Sequence, residues 1–443
     1  MMGIKRCLSH LNGQTSILPL AIFRMTFGFL MAFSLFRFIC KGWIEACYIA
    51  PDFHFTYQYF EWVKPLELYG MYAVVICCAL SAIGIGLGLF YRLSTLFFFL
   101  SFTYLELIEK SWYLNHYYFV SLVAFLLIWV PANRNYALDC KRHSTLKRKT
   151  VPVWTIVILK LQLCTVYFFG GIAKLKSDWL LDAQPLNIWL KARTDAPLIG
   201  GLFEHDITPF LFSWSGMLYD LIVPFLLWSR KFRPIAYCLI VIFHILTYVL
   251  FNIGMFPWLM IFGSLIFITE AEWKLLFRKR EASNSMENPS PTKTPLSIKL
   301  MLSLFFVMQF SFPLRHYFLT DNVLWSENGF RFAWHVMVME KNGYVTYAIK
   351  DNETGKQWIE YPSKRLTTIQ EKQMSFQPDM IWQYGKYLED IYDEKGMHSI
   401  SIHVNSNASL NGRTSQTLIS ETVDLTQIED VDSIYDFILQ LND

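Results

Sequence analysis

Ionisable side chains lie within or at the ends of the long apolar segments of this chain. Burying such a group in a bilayer is costly, so each one is a candidate functional residue unless an ion pair explains it. Asp220 is expected to pair with one of the cations, and a pair that serves only helix packing is an alternative for Arg24 and Asp220. The candidates are Arg24, Arg37, Glu106, Lys160, Asp220 and His244 inside the segments, and His116 and Lys174 at segment ends.

Two lysines share one predicted helix. Lys160 and Lys174 are fourteen residues apart, which corresponds to about 21 Å of rise and a rotation about 40° short of whole turns. They therefore lie on the same face, with Thr165 and Gly171 nearby, and this face is predicted to line a polar cavity between helices. The alternative for Lys174 is a lysine that snorkels from a helix end.

His116 begins another apolar segment and follows Trp112 and Asn115 in the sequence. Its alternative interpretation is an interfacial residue of the aromatic belt. The distribution of loop charges, however, puts His116 and Lys174 at the same predicted outer rim of the membrane. A shared site at that rim is the functional hypothesis.

Long apolar segments must position these residues. The chain has 443 residues, of which 53% are hydrophobic and 17% charged, a composition that excludes an ordinary soluble protein. The segments approach the roughly 20 residues that a membrane-crossing helix needs, and they are 17–40, 69–90, 93–108, 117–131, 151–173, 208–228, 234–252, 255–270 and 297–318. The first segment contains Arg24 and Arg37 and has no small-residue cleavage site, so we expect a retained helix.

The predicted fold class is a mainly α-helical integral membrane protein, with a bundle of about nine transmembrane helices and a small C-terminal extracytoplasmic domain that contains β-strands. Basic residues accumulate on every second connection, at 5–6, 92, 134–149, 230–233 and 274–280. These connections define the cytoplasmic side and place the N-terminus inside. The connections 41–68, 109–116, 174–207 and 252–255 and the tail are then outside.

The predicted domains are a transmembrane bundle at 1–318 and an extracytoplasmic domain at 319–443. Residues 281–296 are polar and rich in Ser and Pro, which is typical of a flexible cytoplasmic linker. In the tail, 344–350 and 399–404 have strand-like patterns and 366–392 is predicted to be helical.

The composition also disfavours several kinds of partner. The net charge of +3 gives no reason to expect nucleic acid. The eight cysteines lie at or before Cys238 and form no CxxC pair, so neither a disulfide framework nor structural zinc is expected. We expect no metal ion.

Three segments resemble the vitamin K-dependent gamma-glutamyl carboxylases, within the horizontally transferred transmembrane (HTTM) superfamily. Tyr-Phe-Phe-Gly-Gly-Ile-Ala-Lys-Leu-Lys-Ser-Asp-Trp (167–179) is similar to the catalytic-lysine segment, and Ser-Trp-Tyr-Leu-Asn-His-Tyr-Tyr-Phe (111–119) to the Asn-His signature. Phe-His (243–244) with Leu-Phe-Asn-Ile-Gly-Met-Phe (250–256) follows in family order. Asn-Gly-Phe-Arg-Phe-Ala-Trp-His-Val-Met-Val (328–338) resembles the start of the luminal domain. The length resembles that of a short bacterial-type homologue.

The resemblance implies a role for Lys174 as the base that deprotonates the reduced quinone, and for His116 in removal of the glutamate γ-proton. Lys174 would then be neutral and without an ion pair, so its replacement should change stability little. Asn115, Lys160 and His244 would contact the cofactor.

Trp334 and Met337 match a region that engages the glutamate substrate, although one fewer residue separates the Asn-Gly from the Trp than in longer relatives. The implied cofactor is reduced vitamin K, with O₂ and CO₂ as co-substrates. The implied partners are a Glu-containing peptide or protein and the lipid bilayer; the sequence does not predict an oligomeric state.

Other function classes stay open at this point. A quinol epoxidase that does not carboxylate, a membrane transporter and a non-catalytic binding protein are the alternatives. The expected location is the cell (inner) membrane of a bacterium, or the endoplasmic reticulum membrane if the source is eukaryotic, in which case Asn352 and Asn407 would be glycosylation candidates.

Overall fold

A computed structural model describes residues 11–197, 199–251, 253–276, 294–319 and 322–442. Most of the predicted linker at 281–296 lies outside these residues, as do the basic residues at 5–6 and 277–280.

Each of the nine predicted apolar segments contains a helix in the described part of the chain. Six of these helices are long and apolar enough to cross a membrane, namely α1, α2, α5, α6, α7, and α9 taken together with the 3₁₀ segment that follows it, whereas α4 and α8 are shorter apolar helices. The bounds are α1 Leu18–Cys40, α2 Leu68–Leu87, α3 Tyr91–Ile108, α4 Asn115–Trp129, α5 Val153–Ala173, α6 Ile207–Trp228, α7 Arg233–Leu250, α8 Phe256–Gly263 and α9 Leu296–Ser311. Short 3₁₀ segments extend α8 (Ser264–Phe267) and α9 (Phe312–Phe318).

Close helix contacts explain one of the sequence features, the buried Arg24. Helices α1 and α2 approach so closely that a Cβ on Gly28 would lie 2.3 Å from the backbone nitrogen of Gly86. Arg24 donates hydrogen bonds to the carbonyl oxygens of Ile85 and Gly86, at 2.7 and 2.8 Å, and to that of Tyr136. Because these carbonyls end α2, Arg24 caps a helix end that would otherwise leave acceptors unsatisfied. The packing interpretation of Arg24 is therefore the better one.

The C-terminal domain contains a four-stranded antiparallel sheet in the order β4-β3-β5-β6. Its strands are β3 Lys341–Asp351, β4 Gln357–Glu360, β5 Ile400–Leu410 and β6 Gln416–Thr417; β1 Gln14–Ser16 and β2 Thr150–Pro152 pair separately beside the bundle. Helices α10 Thr368–Met374 and α11 Pro378–Glu394 belong to this domain. The predicted strands and the predicted helical stretch are all found, although that stretch is two helices.

The domain packs on one end of the bundle. Three connections that loop charge assigns to one side contact it: Gln383 donates to the carbonyl oxygen of Thr56 at 2.9 Å, Lys110 pairs with Asp379 at 2.6 Å, and Arg413 pairs with Asp178 at 2.8 Å. The protein is thus a mostly helical membrane protein with a C-terminal domain, as predicted. That this end faces outward stays a prediction.

Candidate functional site

A cavity of about 400 Å³ lies among α1, the end of α3, the start of α4 and the start of α8. Its wall is mostly aromatic and aliphatic, with polar groups from α1, α3 and the turn before α4. Side chains on the wall include Phe38, Trp43, Tyr48, Phe102, Trp112, Phe256 and Met337, and the polar residues are Ser34, Arg37, Glu106, Glu109, Asn115 and His116. Such a cavity is suited to a small, largely apolar ligand that is oriented by a few polar groups.

His116 lies in the first turn of α4 and is one of the residues that line this cavity. The centroid of its imidazole ring is 4.6 Å from that of Tyr117 and 6.0 Å from that of Phe256. Tyr117 is the next residue of the same helix and Phe256 begins α8, so the imidazole has one aromatic neighbour in each of these two helices.

Asn115 connects the bundle to the C-terminal region. Its side-chain nitrogen donates to the carbonyl oxygen of His335 at 3.1 Å, and its side-chain oxygen accepts from the hydroxyl of Tyr113 at 3.0 Å. That hydroxyl also accepts from the backbone nitrogen of Phe332 at 2.7 Å. Asn115 therefore both lines the cavity and positions a segment of the C-terminal region.

That segment forms part of the cavity wall through Met337. Three of its non-glycine residues have left-handed backbone torsions, with φ of 63° at Phe332, 60° at Trp334 and 53° at Met337. Such conformations are uncommon and strained for non-glycine residues. Trp334 is 1% exposed and packs against Tyr118, with ring centroids 5.1 Å apart. It is not among the residues that line the cavity.

Lys174 follows the last residue of α5 and is buried. Its ammonium group donates to Asp220 at 2.8 Å and to the carbonyl oxygen of Gly170 at 3.1 Å, and it lies 5.4 Å from the ring centroid of Trp179. The prediction that Asp220 pairs with a cation is confirmed. The expectation that Lys174 has no ion pair is wrong, because α5 and α6 pack closely at Gly171 and bring the two charges together.

Lys174 and His116 lie at the same end of the bundle, but Lys174 does not line the cavity that His116 lines. The Trp334–Met337 segment lies between them. A Cβ built on Gly170 would be 3.7 Å from the Asp220 carboxylate and 4.0 Å from the carbonyl oxygen of Trp334. The carbonyl oxygen of Trp334 thus approaches Gly170 on the side of the Asp220 carboxylate, and Met337 of the same segment lines the cavity.

Comparison with known families assigns both parts of the chain. The HTTM domain model matches residues 12–273, and the model of the lumenal domain of vitamin K-dependent gamma-carboxylase matches residues 295–443. The chain belongs to the vitamin K-dependent gamma-carboxylase family. Membership supports a carboxylase-like function that depends on vitamin K, with a glutamate-containing substrate and membrane association. No solved structure matches the chain.

In this carboxylase-family fold, Lys160 lies away from the cavity and from Lys174. Its ammonium group is 5.5 Å from the ring centroid of Trp228 and 5.1 Å from that of Phe267, near the Arg233–Glu272 ion pair. Both lysines have neighbours in α6, Lys160 at Trp228 and Lys174 at Asp220, but the separation along the helix keeps the two lysines apart. The geometry therefore gives no support to Lys160 as a cofactor contact.

His244 is 1% exposed. The centroid of its ring is 5.7 Å from that of Phe256, whose ring is also a neighbour of His116. Its Nε2 is 3.0 Å from the hydroxyl of Tyr167. Nδ1 is buried and has no hydrogen-bond partner among the described residues. Contact with a cofactor stays a prediction for His244, with this free nitrogen as the atom to test.

Sequence reasoning did not single out Glu109, which lines the carboxylase-family cavity just beyond α3. Its carboxylate accepts hydrogen bonds from the backbone of Ser111 at 2.9 Å and from the side chain of Gln370 at 2.8 Å. Burial raises the pKa of Glu109 to about 7, although these hydrogen bonds oppose the increase. In the sequence, Glu109 could have been recognised as a candidate because it stands next to the opposite charge of Lys110 at the end of an apolar segment.

A partly buried cation, Lys176, also follows Lys174 in the sequence. Burial lowers the pKa of Lys176 to about 8, while Asp178 opposes this change. Asp178 is held by Arg413 at 2.8 and 2.9 Å and by Asn411 at 2.7 Å, so the connection after α5 is fixed to the C-terminal domain. Among the described residues, no group of three or more His, Cys, Asp or Glu could hold a metal ion.

Proposed function

We propose that this chain is a vitamin K-dependent gamma-glutamyl carboxylase that also oxidises reduced vitamin K to its epoxide. The observation that carries the proposal is that His116, from the HTTM region, and Met337, from the lumenal-domain region, line one largely apolar cavity. A glutamate presented from the C-terminal domain could meet His116 there. Reduced vitamin K, reacting with O₂, would supply a base strong enough to remove the weakly acidic γ-proton, so that the carbanion can add CO₂.

The residues present fit a quinone. The cavity volume of about 400 Å³ falls within the roughly 300–1,000 Å³ of small-molecule sites. Rings of Phe38, Trp43 and Trp112 offer flat apolar surfaces, and His116 and Asn115 offer polar atoms. An apolar wall also excludes water, which would otherwise quench a strong base.

Lys174 and Asp220 together are the proposed proton acceptor. The pair holds one ionisable proton between two basic groups, at Nζ of Lys174 and Oδ2 of Asp220, which are 2.8 Å apart. It can accept a second proton and become an ammonium beside a neutral carboxyl. The resulting positive charge would stabilise an oxyanion formed nearby. This assignment keeps Lys174 essential without requiring it to be neutral and unpaired at rest.

The proposal requires access between the cavity and the ion pair. The Trp334–Met337 segment approaches both, because Trp334 lies near Gly170 beside the Asp220 carboxylate and Met337 lines the cavity, so this segment would have to shift when the site is filled. His116, on the cavity side, would assist transfer of the glutamate γ-proton. The two residues then have separable roles.

The test is to incubate the purified full-length protein in lipid nanodiscs with reduced vitamin K, O₂, labelled CO₂ and a short Glu peptide. Epoxide and fixed label are scored separately, with the Lys174→Met/Asp220→Asn double variant as the inactive control. Both products are expected from the wild type. Epoxide without label would favour a quinol epoxidase, and neither product from well-folded protein would overturn the proposal.

A further inference from the structure

A second pocket, of about 250 Å³, lies on the other side of the turn that precedes α4. The first cavity is lined by Glu109, Trp112, Leu114 and Asn115 of this turn. The second is lined by Lys110, Ser111 and Tyr113, with residues of the C-terminal domain on its far side. The two sites are therefore neighbours that share one short segment of backbone.

The second pocket carries an excess of positive charge. Its lining includes four basic residues, Lys110, Arg331, Lys341 and Lys372, and two acidic residues, Glu327 and Glu340. Among the described residues, Asp379 also pairs with these bases, with Lys110 at 2.6 Å and with Arg331 at 2.7 Å. Lys341 pairs with Glu327 at 3.1 Å. Four positive charges thus face three negative charges.

Two of these cations, Lys110 and Lys341, are held in place by ion pairs. Lys110 and Lys341 are buried, with side chains 3% and 1% exposed. Burial lowers the pKa of Lys110 to about 8 and Asp379 opposes the decrease, so Lys110 stays mostly protonated at pH 7. A fixed positive charge in a partly buried pocket favours binding of an anion.

Ser111 gives an independent indication of a ligand. The residue is 6% exposed and lines the pocket, and its buried hydroxyl, which lies near the Glu109 carboxylate, makes no hydrogen bond of good geometry among the described residues. A buried hydroxyl without a well-formed hydrogen bond is costly. A carboxylate in the pocket could accept its hydrogen bond.

We infer that this pocket binds a second carboxylate side chain of the polypeptide substrate, at a fixed distance from the glutamate that reacts. The inference rests on the proposed function. Lys110 and Leu114 are four residues apart, so their Cα atoms are at most about 14 Å apart. An extended peptide advances about 3.3–3.6 Å per residue, so a second acid within about four residues of the first would reach the pocket. Acid-rich segments would thereby be preferred over isolated glutamates.

The test compares two peptides that differ in one residue. One carries a Glu and a second Glu four residues away, and the other has Gln at the second position. Binding to the nanodisc-embedded protein is measured by fluorescence anisotropy without vitamin K, so this readout does not depend on catalysis. We expect the peptide with two Glu to bind about three- to tenfold more tightly at low salt, as one or two partly exposed charge contacts would give.

Two variants and one control locate the effect. Lys372→Glu reverses an exposed charge at the pocket, and Ser111→Ala removes the buried hydroxyl; both should abolish most of the preference. Lys356→Glu makes the same charge change in the turn at the other end of β3 and should leave the preference intact.

Equal binding of the two peptides to the wild type, or an equal loss in Lys356→Glu, would overturn the inference. It would also fail if bicarbonate competed as effectively as the peptide with two Glu at equal concentration, because the pocket would then be a site for small anions. Carboxylation without a peptide preference would refute only this inference. A pocket-dependent preference without epoxide or fixed label would refute only the proposed function.

Discussion

Replacing Lys174 by Met should destabilise the protein, because it leaves the buried carboxylate of Asp220 without its partner. The two side chains are 7% and 11% exposed, and their charged atoms are 2.8 Å apart. Removing one member of a buried pair costs about 3–5 kcal/mol. The lone carboxyl can instead take up a proton, which costs about 4 kcal/mol at pH 7 for a group with an unperturbed pKa of about 3.9. Because protonation of Asp220 is available as this alternative, the free energy of unfolding should fall by about 3–4 kcal/mol.

The Lys174→Met/Asp220→Asn double variant separates stability from chemistry. The asparagine that replaces Asp220 carries no charge, so the double variant should regain most of the lost free energy of unfolding, with a coupling between the two sites of about 2–3 kcal/mol. Epoxidation and carboxylation should nevertheless both stay abolished, since the proton acceptor is gone. Unfolding in mixed micelles, followed by tryptophan fluorescence, gives the stabilities, and epoxide formed per folded molecule gives the activity.

Lys160→Met is the matched control, because it removes a positive charge from the same helix without breaking an ion pair seen among the described residues. A small primary amine added to the Lys174→Met variant should partly restore epoxide formation if a proton acceptor is what is missing. The reasoning is refuted if the double variant oxidises reduced vitamin K at the wild-type rate, since the pair would then serve only packing. Unchanged stability of Lys174→Met would refute the ion pair itself.

Three further predictions concern separate parts of the molecule. His116→Ala should lower carboxylation by about 10²–10⁴-fold and epoxidation much less, measured as fixed label against epoxide, while His205→Ala on an exposed connection should change neither; an equal loss of both products would contradict the assigned role. Because the pKa of Glu109 rises from 4.5 to about 7 on folding, the folded state keeps a proton that the unfolded state releases, and stability should fall by roughly 3 kcal/mol as the pH rises from 4.5 through 7. Unfolding free energies across this range should show that slope in the wild type and not in Glu109→Gln, and a slope shared by both would exclude Glu109 as its source. Cysteines that replace Thr145 and Asn405 in a cysteine-free background should react with an impermeant thiol reagent from opposite sides of the membrane, whereas labelling from one side would overturn the predicted topology.

The positions of the helices could be predicted from sequence because each apolar segment carries its own signal. Length and hydropathy are local properties, so all nine segments contain helices within the described residues. The strands β3 and β5 were likewise visible as alternating patterns, and they pair along their full length, with Tyr347 opposite Val404. Helix ends were less accurate, as at α8, where a 3₁₀ segment continues the helix.

The site could be predicted only in part, because periodicity gives the face of a helix but not which neighbour covers it. Asp220 was correctly expected to pair with a cation, but only the packing of α5 on α6 selects Lys174. Lys160 shares its helix face yet lies about 21 Å further along the axis, next to Trp228. Contacts such as Lys110 with Asp379 join residues 269 positions apart, and no local pattern encodes such a separation.

The strained segment Phe332–Met337 explains how the C-terminal domain and the bundle can form one site. A left-handed non-glycine residue costs on the order of 1–3 kcal/mol, so three of them need fixed contacts on both sides. The bundle supplies Tyr113 for the backbone of Phe332 and Asn115 for that of His335. On the domain side, Arg331 is anchored to Asp379 in α11. Because the same anchoring puts Met337 on the cavity wall and Trp334 near Gly170, beside which the Asp220 carboxylate also lies, loosening it should alter the cavity and the surroundings of the ion pair together.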